Sequence, residues 1–62
     1  MPSCLGLYIE SNLIKYAKVT KERDVLKVDS FGMKFYDQIG PTINQIISET
    51  FSYKTPISIN LS

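Results

Sequence analysis

Glu10, Ser11 and Asn12 are consecutive polar residues between two apolar runs, Cys4 to Ile9 and Leu13 to Thr20, and Lys15 follows a few positions later. A carboxylate, a hydroxyl, an amide and an ammonium at this spacing are the groups that could contact a phosphate or, for Glu10, a metal ion. A tight turn between paired strands aims such side chains and its backbone N–H groups outward. The same residues also make an ordinary turn. Asn12 suits a positive φ or an Asx-type hydrogen bond, Glu10 and Ser11 suit solvent, and Lys15 suits the edge of a strand.

Little else in the chain is built for chemistry. Cys4 is the single cysteine and there is no histidine, so neither an internal disulfide nor a Cys/His zinc set can form, and nothing activates the thiol. Among the six acidic residues, Glu10, Asp24, Asp29, Asp37 and Glu49 show no spacing that commits a pair to acid/base work. Tyr16, Phe31, Phe35 and Tyr36 could stack on bases, but the net charge is only +1 and no basic run surrounds them. They read instead as a core side awaiting cover, and no nucleic-acid partner is expected.

A chain of 62 residues, 44% hydrophobic and 21% charged, is one small ordered domain with a thin core. No stretch reaches the ~20 apolar residues of a membrane span, and Met1-Pro2-Ser3 lacks the basic start of a signal peptide. The lone cysteine and these absences point to a cytoplasmic setting.

The elements that must position the turn follow from periodicity. Residues 4–9 are nearly continuous apolar and predict a central strand, with Gly6 requiring a close neighbour and Tyr8 packing beneath a helix or a further layer. Residues 13–20 predict a second strand with Ile14 and Tyr16 on one face and Leu13, Ala17 and Val19 on the other. Lys15 and Lys18 are expected near its edges or snorkelling outward. Lys21-Glu22-Arg23-Asp24 predicts a solvated hairpin end.

Residues 25–35 predict a third, outer strand, with Phe31, Met33 and Phe35 on one face and Leu26, Val28, Ser30 and Gly32 on the other. Gly32 is the candidate for a bend or bulge. Gly40-Pro41 predicts a helix over 41–51 with an apolar stripe of Ile43, Ile46, Ile47 and Phe51, preceded by Ile39. Ile57, Ile59 and Leu61 alternate with Ser58 and Asn60 and predict a last strand over 57–61.

The order is β-β-β-α-β. A crossover helix lets the last strand lie parallel to the first, giving a mixed α/β sheet in the order 3-2-1-4 with the helix on one face. The other face is expected to lack cover, which predicts the opening section of a larger domain or a chain that finds a partner.

Leu5 to Val19, L-G-L-Y-I-E-S-N-L-I-K-Y-A-K-V, followed by a third strand and a short crossover helix, resembles the opening of the PilM-type type IV pilus assembly proteins. That family belongs to the actin-like ATPase superfamily, with its ribonuclease H-like sheet. The superfamily's first hairpin carries a G-x-D-x-G-[ST]-x-x-[IV]-K-like phosphate loop, and Gly6, Ile9, Ser11, Ile14 and Lys15 match that pattern. The resemblance implies that residues 1–62 are the first part of an actin-like subdomain, and that Glu10, Ser11, Asn12 and Lys15 border any nucleotide.

It also implies protein partners in a pilus or secretion assembly, on the cytoplasmic side and at the inner face of the cell membrane through those partners. Two letters depart from the pattern. Tyr8 stands where the family has the aspartate that organises magnesium, and Glu10 stands where it has the loop glycine. A phenol cannot replace a magnesium-shell carboxylate, and a carboxylate repels phosphate oxygens. The expectation is therefore an assembly scaffold with degenerate nucleotide binding, no cofactor and no catalysis from this chain alone. A full-length protein that binds ATP and magnesium, and a free-standing α/β adaptor, are the alternatives.

Overall fold

A computed structural model describes residues 2–61. Strands β1 (Ser3–Ile9), β2 (Leu13–Glu22) and β3 (Val25–Phe35) form an antiparallel meander. Helix α1 (Ile39–Glu49) then crosses over to β4 (Ile57–Leu61). The sheet order is β3-β2-β1-β4 with β1 and β4 parallel, as the crossover requires. The protein is a small α/β domain of mixed sheet, in the expected order.

One face of the sheet carries the core. Leu5, Leu7 and Ile9 of β1, Ile14 of β2 and Ile46 of α1 are buried together, and Tyr16, Tyr36, Ile43 and Ile47 pack around them. Full burial of each such aliphatic side chain contributes roughly 1.5–3 kcal/mol, so this small cluster supplies most of the apolar stabilisation. Strand alternation leaves Cys4, Gly6 and Tyr8 on the face away from α1. Tyr8 is 42% exposed there rather than packed beneath the helix.

Each end of α1 departs from the sequence expectation. The helix spans Ile39–Glu49 rather than 41–51, with Gln38 as N-cap. Pro41 is its third residue, which the fold tolerates because no N–H of the first turn has an intrahelical acceptor. At the other end Phe51 adopts a left-handed φ of 54° and leaves the helix.

The Phe51 N–H donates to the Ser48 carbonyl at 3.3 Å and the Ser52 N–H to the Ile47 carbonyl at 2.9 Å, the paired closure of a Schellman turn. Phe51 is consequently 80% exposed instead of completing the apolar stripe. Ser52, read as a loop residue, is buried, and its hydroxyl meets that of Thr50 at 2.6 Å. The Thr50 hydroxyl also donates to the Ile46 carbonyl at 2.8 Å.

Two strands extend beyond expectation, β1 starting at Ser3 and β2 reaching Glu22, so the second connection shrinks to Arg23-Asp24. Arg23, at the first central position of this two-residue loop, takes a positive φ of 58°. A primed hairpin turn of the II′ kind demands such a φ, and glycine usually provides it.

The bulge in β3 lies at Asp29, not at Gly32. Lys18 pairs with Ser30 while Val19 pairs with Val28, leaving Asp29 as the extra residue, and its carboxylate accepts a hydrogen bond from the Thr20 hydroxyl. The added residue reverses the alternation, so Leu26 and Val28 share the face of Phe31, Met33 and Phe35 instead of opposing it. Gly32 has a different task. A Cβ there would lie 2.6 Å from the Tyr16 hydroxyl oxygen and 2.8 Å from the ring carbon that bears it, so the missing side chain makes room for Tyr16 across the strand pair. At Gly6 the nearest heavy atom to such a Cβ is the Ala17 carbonyl oxygen at 3.7 Å, an ordinary contact rather than the expected close approach.

Candidate functional site

The β1–β2 turn is built and held by its neighbours. Ile9 pairs with Ile14, and the Glu10 N–H donates to the Leu13 carbonyl at 2.8 Å, closing the loop over Ser11 and Asn12. Tyr36, just past β3, clamps it from the side. Its hydroxyl donates to the Glu10 carbonyl at 2.8 Å and its backbone N–H donates to the Asn12 carbonyl at 3.1 Å. Both bonds occupy carbonyl oxygens of the turn, so the loop is fixed to the end of the neighbouring strand.

The four sequence-predicted residues occupy one end of the sheet. Ser11, Asn12 and Lys15 are exposed and Glu10 is half-buried. Glu10 and Lys15 form an ion pair, the Lys15 Nζ standing 3.5 Å from a Glu10 carboxylate oxygen. The pair is open to water, so it is worth at most about 1 kcal/mol. Its consequence for function is larger: the only cation of the turn is already shared with the carboxylate beside it. An incoming phosphate would compete with Glu10 for Lys15 while standing near its charge.

Tyr8 pairs with Lys15 across the hairpin, and its side chain lies on the face opposite the core. Tyr8 thus presents a phenol on an open face. Among the described residues no group of three or more histidine, cysteine, aspartate or glutamate side chains could hold a metal ion. A cleft of about 210 Å³ lies against Asn12, Phe35, Tyr36 and Asp37, on the flank of the turn.

Several structurally important side chains escaped the sequence reading. Tyr36, read as part of a connection, is the clamp of the turn. Lys18, expected to snorkel outward, turns instead toward the C-terminal end of α1. Lys34 joins Glu49 at 3.0 Å, tying β3 to the last residue of the helix. The i, i+2 pattern places Lys18 and Lys34 on the helix face, but sequence alone does not show that α1 ends there.

A small mixed α/β domain with a clamped, charge-neutralised hairpin turn is what fold and geometry define. The chain matches no family model, no curated protein and no solved structure. No helix among the described residues is long and apolar enough to cross a membrane.

Proposed function

We propose that this chain is the opening part of a PilM-like, actin-like assembly protein that acts as a scaffold in a type IV pilus or related secretion machine, through protein contacts at the cytoplasmic side. Its phosphate hairpin is degenerate. The observation that carries this reading is the Glu10–Lys15 pair beside Tyr8. The frame of an actin-like phosphate loop is kept from Gly6 to Lys15, yet its cation is neutralised from within and its magnesium carboxylate is replaced by a phenol. The strand order and the parallel β1/β4 pair are compatible with the ribonuclease H-like sheet of that superfamily.

Deletion of the gene in its source organism, followed by complementation, tests the reading. Deletion is expected to abolish surface pili or the related secretion, and the Lys15→Ala variant is expected to restore them fully. Normal pili and secretion after deletion would contradict the scaffold role. Failure of Lys15→Ala to complement would favour a working nucleotide site.

A further inference from the structure

The two edges of the sheet are unlike. At one edge β3 is interrupted by the bulge at Asp29 and carries Lys27, and both features hinder an outer strand from recruiting another. At the other edge β4 has neither: Ile57-Ser58-Ile59-Asn60-Leu61 holds no charge, no proline and no register shift against β1. The Leu5 N–H donates to the Pro56 carbonyl at 2.9 Å, and Leu5 stands level with Ile57. In a parallel ladder alternate residues turn both polar groups to the neighbour. Pro56, Ser58 and Asn60 therefore face β1, while Ile57, Ile59 and Leu61 turn N–H and C=O outward to the open edge.

The same three residues carry apolar side chains on the helix side of the sheet, level with Leu5, Leu7 and Ile9. Those counterparts on β1 are buried. Ile57, Ile59 and Leu61 are 39%, 55% and 77% exposed, and none of them packs on the core cluster. The apolar row of the core thus continues past the cover of α1 and ends at an unpaired backbone edge.

Backbone phase and strand pattern select the occupant. The strand reads alike in both directions: apolar, polar, apolar, polar, apolar. An antiparallel second copy centred on Ile59 sets Ile59 against Ile59, Ile57 against Leu61 and Ser58 against Asn60. Each outward-facing residue then exchanges both N–H···O bonds with its partner, the apolar side chains meet on the helix side, and the polar ones meet on the other. No charge is buried or opposed. A two-fold axis normal to the sheet keeps both helices on one side and leaves a protected β3 at each end of one continuous sheet. Head-to-tail pairing of β4 with the β3 of another copy would instead meet the bulge and Lys27.

We infer that this chain forms a symmetric dimer through antiparallel pairing of β4 with the β4 of a second copy, with Ile59 on the axis. This goes beyond the pilus reading and does not depend on it, since the edge pairs whether or not the Glu10–Lys15 turn has lost a nucleotide.

Sedimentation velocity and amide hydrogen exchange on the chain test this. The mass is expected to double between about 10 μM and about 1 mM, a range that suits an interface of small area. Over the same range the Ile57, Ile59 and Leu61 amides should gain roughly tenfold or more in protection, while Ser58 and Asn60, already bonded to β1, change less. Ile59→Lys sets two ammonium groups against each other on the axis and is expected to give a monomer with an unchanged circular dichroism spectrum. Ile59→Glu should do the same, and an equimolar mixture of the two should dimerise. The wild-type exchange pattern decides the matter even where a variant fails to fold. A wild type still monomeric at about 1 mM, an Ile59 amide no better protected at high concentration than at low, or a mixture of folded variants that stays monomeric would overturn the inference. So would a dimer that Phe31→Glu dissociates, which would assign the contact to the open sheet face.

Discussion

The Lys18 ammonium donates to the Thr50 carbonyl at 2.7 Å and to the Phe51 carbonyl at 3.2 Å, so the middle strand of the meander supplies the cation at the C-terminus of α1. The last turn of the helix holds no basic residue of its own. A cation at that end meets the Thr50 and Phe51 carbonyls and the negative end of the helix dipole. This contact links sheet and helix across a domain whose apolar core is small.

Lys18→Met keeps much of the aliphatic stem and removes the donors. It is expected to lower unfolding stability by about 1–2 kcal/mol, combining the lost charge-assisted bonds with the lost dipole contact. Urea denaturation checks this, and Lys18→Arg should recover part of the loss. A midpoint unchanged in Lys18→Met would show that the contact contributes nothing.

Phe51 and Arg23 are the non-glycine residues with positive φ among the described residues, at 54° and 58°. The left-handed region costs an L-residue roughly 1–2 kcal/mol, partly offset in glycine by the greater freedom of the unfolded chain. Phe51→Gly and Arg23→Gly are each expected to raise stability by about 0.5–1 kcal/mol, since Phe51 is 80% exposed and Arg23 is exposed too. The two sites are at separate connections, so the double variant should show additive gains in thermal or urea unfolding.

Tyr36→Phe removes one hydrogen bond from the turn and leaves the ring in place. A loss of about 1 kcal/mol is expected, with faster amide exchange confined to Glu10, Ser11, Asn12 and Leu13. Exchange that accelerates evenly over β1 and β2 would show that Tyr36 stabilises the whole sheet and not the turn.

The order of the elements and the 3-2-1-4 sheet were legible because each rests on a strong local signal. Ile57, Ile59 and Leu61 alternate as a strand does, and Ile43, Ile46 and Ile47 recur as a helix does. The errors arose where a local choice depends on distant atoms. A bulge at Asp29 is set by register against β2 and by the Thr20 hydroxyl, so alternation read from β3 alone assigned Leu26 and Val28 to the wrong face. Phe51 continues the helical spacing in sequence, but the helix closes before it, with Thr50 and Ser52 forming a buried hydroxyl pair. For the candidate site, the turn itself was readable from Glu10-Ser11-Asn12. Its clamp by Tyr36 was not, because the two segments meet only after β3 has paired with β2.

The central claim is that the Glu10–Lys15 pair beside Tyr8 leaves the β1–β2 turn without useful affinity for a nucleotide. Two-dimensional amide NMR on the labelled chain, titrated with ATP–magnesium, tests it most directly. The account predicts that ATP–magnesium leaves the amides of Glu10, Ser11 and Asn12 unmoved below about millimolar concentration. Saturable shifts of the turn amides at micromolar ATP would contradict it.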